Sequence, residues 1–123
     1  MKIGIDYNEV ISKFPEFFKI ITKALIKKCH EVHIITGERF ESTKFFFEKH
    51  NIRYTHFFSI TDTLLKAREP YTIDENNRPC FDLLKWDNAK AKYCKEHNID
   101  FMLDDSDIYG SFFTTPYIKF KVT

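Results

Sequence analysis

The stretch IGIDYNEVI (residues 3–11) decides the fold class of this chain. Its first half, preceded by Lys2, is a short apolar run that ends at Asp6, a pattern typical of a buried strand with a carboxylate at its end. Asn8 follows two positions later, where a second carboxylate would be expected. From Ser12 onward, apolar residues recur every three or four positions and predict an amphipathic helix. A buried strand followed by such a helix is the first unit of an α/β protein.

Strand and helix patterns alternate along the rest of the chain. After the strand at 2–6 and the helix from 12, further strands are predicted at 31–35, 52–58, 99–103 and 117–122. Helices are predicted at 41–50, 61–68, 87–98 and around 108–113, and the Pro- and Asn-rich segment 69–81 as an irregular loop or a small hairpin. This order predicts one domain over 1–123, an α/β three-layer sandwich with a mainly parallel, Rossmann-like sheet.

Composition excludes several classes of protein. Hydrophobic residues make up 43% of the chain, enough for a packed core. Nineteen Lys and Arg against 18 Asp and Glu give no case for broad binding to nucleic acid or acidic lipid. No run approaches the ~18–20 apolar residues that span a bilayer. Three widely spaced cysteines without a Cys-x-x-Cys pair favour free thiols, so we expect a cytoplasmic protein that does not insert into a membrane.

Polar residues of complementary type follow the predicted strands. In an open parallel sheet, ligands bind beyond the carboxyl ends of the strands. The first, second and fourth predicted strands each end in polar residues, and a lysine lies in the first turn of the helix that feeds the fourth. The candidate residues at this edge are Asp6, Asn8, Thr36, Gly37, Lys90, Asp104 and Asp105.

Each of these groups has a function if the ligand is a phosphate. The Asp6 carboxylate is able to attack phosphorus and form an aspartyl phosphate. Thr36 offers a hydroxyl and Gly37 offers nearby N–H groups to phosphoryl oxygens, while Lys90 neutralises charge on the phosphate and the nucleophile. Asp104 and Asp105 supply hard oxygen ligands for Mg²⁺.

The ordered set of motifs resembles the haloacid dehalogenase (HAD-like) superfamily of phosphatases and related hydrolases. IGIDYNEVI is similar to its first motif, HIITGE (33–38) to its second and FMLDDS (101–106) to its fourth, and Lys90 lies 14 positions before Asp104, where the third-motif lysine is expected. The resemblance implies a Mg²⁺-dependent phosphohydrolase with Asp6 as nucleophile. It also implies metal binding by Asp6, the Asn8 carbonyl, Asp104 and Asp105, the last directly or through water.

Asn8 departs from the superfamily pattern. In phosphatases of this superfamily the acid at this position protonates the leaving group and then activates water, and an amide does neither. The backbone carbonyl of Asn8 keeps its capacity to bind Mg²⁺. General acid–base catalysis contributes ~10²–10⁴ in rate, so we expect slow turnover. The neighbouring Glu9 is expected to point away from the site.

No cap domain fits in the sequence. Only 27 residues separate Asn8 from Thr36, and the predicted elements use most of the chain between Thr36 and Lys90. An uncapped site suits a large phosphorylated substrate, such as a protein side chain or a nucleic-acid end. Alternatively, an oligomeric partner covers it or the loop at 69–81 acts as a small flap.

Other interpretations remain open from the sequence. A regulatory or binding module that keeps a vestigial metal and phosphate site is the principal alternative to an enzyme. A receiver-like domain is disfavoured because the acidic pair comes late in the chain. Lys85 and Lys92 compete with Lys90 for its role. His30 and His33, beside Cys29, match no closed zinc site.

Overall fold

A computed structural model of the chain describes residues 1–121 and has a parallel sheet at its centre. The described strands of this sheet are β1 (Lys2–Ile5), β2 (Glu31–Thr36), β3 (His56–Ser59), β6 (Phe101–Asp104) and β7 (Tyr117–Lys119). Their spatial order is β3-β2-β1-β6-β7, and every neighbouring pair is parallel. β1 therefore lies in the middle. The predicted last strand extended to 122, which lies outside the described residues.

Helices cover both faces of the sheet. They are α1 (Pro15–Lys27), α2 (Phe40–His50), α3 (Ile60–Lys66), α4 (Leu83–Glu96) and the short α5 (Asp107–Gly110). The alternation of side chains along β2 separates two cores: Ile34 packs with Phe18 of α1 and Phe47 of α2, whereas Ile35 packs with Tyr93 and Cys94 of α4. The structure is thus an α/β three-layer sandwich with a parallel sheet, as the sequence predicts.

The segment between β1 and α1 turns sharply. The Ser12 N–H donates to the Tyr7 carbonyl oxygen (2.9 Å), and Glu9 adopts a left-handed conformation with φ of 61°. Pro15 occupies the first turn of α1, where its missing N–H costs no hydrogen bond. This tight connection brings the residues after Asp6 back over the end of the sheet.

The third strand is shorter than the sequence predicts. Residues 52–55 precede β3, although the Thr55 N–H still donates to the Val32 carbonyl oxygen (2.9 Å). The Thr55 hydroxyl makes two further bonds to the same residue. It accepts the N–H of Val32 (2.9 Å) and donates to the carbonyl oxygen of the same residue (3.0 Å). Ile52 is still buried in the core beneath the end of α2.

The start of α4 corrects the prediction of a helix at 87–98. The helix begins at Leu83, and Asp82 is its N-cap, with a carboxylate that accepts the N–H of Lys85 (3.1 Å). Leu83 and Leu84 in the first turn are exposed. Lys90 consequently lies two turns into the helix and not in its first turn.

The segment 69–81 contains a small antiparallel hairpin. β4 (Thr72–Ile73) pairs with β5 (Pro79–Cys80), and the Asp74 carboxylate closes the turn by accepting the N–H groups of Asn76 (2.9 Å) and Arg78 (2.8 Å). Of the two forms predicted for this segment, the structure has the hairpin. Among the described residues there is no helix long and apolar enough to cross a membrane.

Candidate functional site at the carboxyl edge of the sheet

Three strands of the sheet end side by side in polar residues. Asp6 directly follows β1, Thr36 ends β2 and Asp104 ends β6. Because β1 lies between β2 and β6 and all three are parallel, these residues share the carboxyl edge of the sheet. The topology thus brings together groups that are far apart in the sequence.

Lys90 joins two of these strand ends. Its Nζ donates to Asp6 Oδ1 (2.9 Å) and to Asp104 Oδ2 (2.8 Å), and all three side chains are almost fully buried. The two competing lysines are engaged elsewhere. Lys85 pairs with Glu69 (2.6 Å), and the exposed Lys92 lies 4.0 Å from Glu96.

The electrostatics of this triad favour a further positive charge. Burial raises the pKa of Asp6 to about 7, the Lys90 ammonium opposes that rise, and the Asp104 carboxylate adds to it. Burial lowers the pKa of Lys90, but its two carboxylate partners outweigh burial and hold that pKa above its usual range. The single positive charge of Lys90 therefore does not fully neutralise the two carboxylates.

Asp105 completes a group of three carboxylates. One oxygen each of Asp6, Asp104 and Asp105 lies within 4.8 Å of the others. Neighbouring main-chain groups hold two of these side chains: the N–H of Tyr7 donates to Asp6 (2.9 Å) and that of Ser106 to Asp104 (2.9 Å). Clustered carboxylate oxygens are the ligands that a hard divalent cation prefers, so the donor set fits Mg²⁺.

Asn8 lies against a carboxylate that the sequence analysis did not single out. Its Nδ2 donates to Glu38 Oε1 (3.1 Å), and both residues line the same cavity. The exposed Glu9 lies 3.9 Å from Lys13 and is not among the residues that line the cavity. The signal for Glu38 was present in the sequence, since it lies two positions after Thr36 in HIITGE.

Thr36 and Gly37 differ in their access to the cavity. The Thr36 hydroxyl is fully buried and accepts the N–H of Glu38 (3.1 Å), which fixes the loop after β2. Gly37 lines the cavity, and a Cβ at this position would approach the Trp86 ring to 2.8 Å. Only glycine therefore allows the indole of α4 to pack this closely against the loop.

A cavity of about 600 Å³ opens above the strand ends. The hairpin forms one side, the loop after β2 forms another, and α4 and α5 supply aromatic rings. The residues that line it include Asp6, Asn8, Gly37, Lys90 and Asp105, together with several that the sequence did not identify: Glu38, Arg39, Ser42, Thr61, Asp74, Asn77, Arg78, Pro79, Cys80, Phe81, Leu83, Trp86 and Tyr109. Apart from Glu38, these side chains reach the cavity through tertiary packing, for which the sequence carries no local signal.

A second polar cluster lies away from the carboxyl edge. His33, which is buried, contacts Glu31 through Nε2 (2.9 Å) and the Tyr93 hydroxyl through Nδ1 (2.7 Å), and its ring stacks on His56 with centroids 4.1 Å apart and planes within 4°. Because the ring planes are parallel, one ion cannot lie in both. This cluster is a hydrogen-bond network, and His30 instead contacts the N-terminal amine (2.8 Å).

The comparisons with known proteins are negative. No protein-family model, no curated protein and no solved structure matches the chain.

The cysteines are all free, with Cys29 and Cys80 exposed and Cys94 buried.

Proposed function

We propose that this chain is a HAD-like, Mg²⁺-dependent phosphohydrolase that acts through an aspartyl phosphate on Asp6. The observation that carries the proposal is the buried Asp6–Lys90–Asp104 triad at the carboxyl edge, with Asp6 and Lys90 lining the cavity. A carboxylate held by a lysine beside further carboxylates has the charge pattern of a phosphoryl-transfer site that also binds a cation.

The charge of the cavity supports a metal. Among the described residues, four carboxylates line it against three cationic side chains: Asp6, Glu38, Asp74 and Asp105 against Arg39, Arg78 and Lys90. A phosphate dianion would be repelled by this lining. Asp6, the Asn8 carbonyl, Asp104 and Asp105 would hold Mg²⁺, which when bound would neutralise phosphate charge.

The protein groups have separable roles in the proposed reaction. Asp6 attacks phosphorus and displaces the alcohol of the ester, and water then hydrolyses the aspartyl phosphate to release inorganic phosphate. Lys90 orients the Asp6 carboxylate and stabilises charge on the phosphoryl oxygens. Gly37, which lines the cavity, is the candidate main-chain contact for those oxygens. Thr36 is a further candidate, although its hydroxyl here accepts the N–H of Glu38 (3.1 Å).

Asn8 sets the expected rate. Because an amide has no pKa suited to proton transfer, the enzyme lacks ~10²–10⁴ of acid–base assistance, so turnover is slow. The Asn8–Glu38 hydrogen bond favours a second candidate function, a binding or regulatory module that retains metal and phosphate. This bond engages both the Asn8 amide and a carboxylate of the cavity. The cytoplasmic location stays a prediction.

Structure determination with Mg²⁺ and tetrafluoroberyllate tests the proposal. We expect a trifluoroberyllate group on Asp6 and a cation between Asp6 and Asp105. An Asp6→Asn protein, which keeps the shape of the side chain, should bind neither at the same concentrations. A cation and a free phosphate mimic without a bond to Asp6 would favour the binding module, and an empty edge would contradict both functions.

A further inference from the structure

The residues that flank the proposed phosphate position form a continuous aromatic surface. Lys90 Nζ lies 4.2 Å from the centroid of the Tyr109 ring, and the Tyr109 hydroxyl accepts the N–H of the Trp86 indole (2.7 Å). The Trp86 ring is parallel to that of Phe81 within 9°, at a centroid distance of 6.3 Å. We call Phe81, Trp86 and Tyr109 the aromatic wall, which leads from the triad along the cavity.

The aromatic wall is not fully buried in the core. All three rings are only partly buried, and each lines the cavity. The hydrogen bond to Tyr109 and the contact with Gly37 fix the orientation of the Trp86 indole. Rigid flat rings of this kind bind planar ligands with little loss of side-chain entropy.

The hairpin and the loop after β2 contribute charged side chains to the lining of the cavity. Arg78 donates through Nε to Asp74 (3.3 Å) and Arg39 through Nε to Asp62 (2.9 Å), and both side chains remain more than half exposed. The cavity, about 600 Å³, has the size of pockets that enclose small ligands, and the hairpin forms one side of it. This size and shape favour a small molecule over the macromolecular substrate that an uncapped site suggests.

We infer that the site binds a small phosphorylated compound that carries a planar aromatic ring, with its phosphate at Asp6 and its ring on the aromatic wall. The inference rests on the proposed function for the position of the phosphate. A nucleoside monophosphate has this chemistry and is the probe of choice. Stacking on protein rings is tolerant of the base, so adenosine monophosphate represents the class.

The chain supplies its own reporter for the test. Trp86 is the single tryptophan, so quenching of indole fluorescence, excited where adenine does not absorb, reports on ligands at the aromatic wall. Adenosine monophosphate is titrated against ribose 5-phosphate, which lacks the ring, and adenosine, which lacks the phosphate, all with Mg²⁺. Calorimetry provides the dissociation constants independently.

We expect adenosine monophosphate to bind at least about tenfold more tightly than ribose 5-phosphate, because stacking is lost without the ring. Phe81→Leu keeps apolar volume but loses a flat face, and should remove most of this difference. Phe45→Leu is the matched control, since Phe45 is 73% exposed on α2 and does not line the cavity. It should leave the difference unchanged.

The results that would contradict the aromatic ligand differ from those that would contradict the proposed phosphohydrolase. Equal affinities for adenosine monophosphate and ribose 5-phosphate would overturn the aromatic ligand and leave the phosphohydrolase intact. Adenosine binding as tightly as its monophosphate would support the ring site and contradict a phosphate site at Asp6. Tighter binding of a phosphopeptide than of adenosine monophosphate would overturn the small-molecule inference.

Discussion

Asn8 is the residue on which the rate of the proposed reaction depends. Its amide donates to Glu38 (3.1 Å), so the position pairs an amide with a carboxylate inside the cavity. An aspartate here would be nearly isosteric and would supply the missing acid. It would also face Glu38, and two adjacent carboxylates repel each other.

We predict that Asn8→Asp raises phosphatase activity on an activated aryl phosphate. The gain should lie within the ~10²–10⁴ range of acid–base catalysis, toward its lower end because a good leaving group needs no acid. Steady-state release of the aryl alcohol with Mg²⁺ measures it. Asp6→Asn in the same background should remove the gain, and a folded Asn8→Asp protein without Asp6-dependent turnover would favour the binding module.

A double substitution controls for the new repulsion. Asn8→Asp with Glu38→Gln reverses the amide–carboxylate pair and preserves its hydrogen bond. We therefore expect this protein to be at least as active as Asn8→Asp alone. A lower activity would mean that the Glu38 carboxylate itself contributes to turnover.

His33 gives the stability of the protein a pH dependence. Burial lowers the pKa of this imidazole, and the neighbouring His56 and His97 lower it further, against the Glu31 carboxylate; the Tyr93 hydroxyl also contacts the ring. The unfolded chain takes up this proton near pH 6.5 and the folded chain only at lower pH. The contribution of His33 is thus fully present above about pH 6.5 and is lost as the pH falls.

We predict that the free energy of unfolding falls more steeply with acidification in the wild-type protein than in His33→Gln. Glutamine retains hydrogen-bonding groups at this position but binds no proton. Urea unfolding at a series of pH values between about 7 and 5 measures the two slopes. Equal slopes would contradict a depressed pKa at His33.

At the scale of elements, α4 shows what a cap contributes. Asp82 accepts the N–H of Lys85 (3.1 Å), whereas the sequence predicted a helix that begins at Asp87. We predict that Asp82→Ala lowers the free energy of unfolding by about 1 kcal/mol. Asp87→Ala, the matched control inside the helix, should change it by less than about 0.5 kcal/mol. Urea denaturation of both variants checks this, and a larger loss for Asp87→Ala would restore the sequence-based helix start.

The sequence predicted those elements whose pattern is local. The strand at KIGID, the helix that follows it and the alternation of strands and helices follow from apolar periodicity, and the parallel order places Asp6, Thr36 and Asp104 at one edge. The first turn of α4 was missed because aspartate favours N-caps at both Asp82 and Asp87, and the sequence prediction began the helix at the second of them. The aromatic wall was missed because Tyr109 of α5 meets Trp86 of α4 only through a tertiary contact, and because Phe81 and Trp86 precede the predicted start of the helix.

At the scale of the whole molecule, the small hairpin adds one side to the cavity above the strand ends. Asn77, Arg78 and Pro79 of this short connection line the cavity. The Asp74 carboxylate of the hairpin is paired with Arg78 (3.3 Å), so the excess negative charge lies at the edge, where Asp6, Asp104 and Asp105 face one lysine. The folded state therefore holds a repulsion that a bound cation would relieve.

We predict that millimolar Mg²⁺ raises the melting temperature, because an ion that binds only the folded chain stabilises it by mass action. A concentration about 100 times the dissociation constant corresponds to about 2.7 kcal/mol. Asp105→Asn should reduce the shift, since Asp105 lines the cavity beside Asp6. Asp107→Asn, which alters an exposed acid paired with Lys119, should leave it unchanged. Differential scanning fluorimetry over a range of Mg²⁺ concentrations measures the shift. A melting temperature that does not respond in the wild-type protein would contradict the metal site, because Lys90 alone neutralises the three carboxylates only in part.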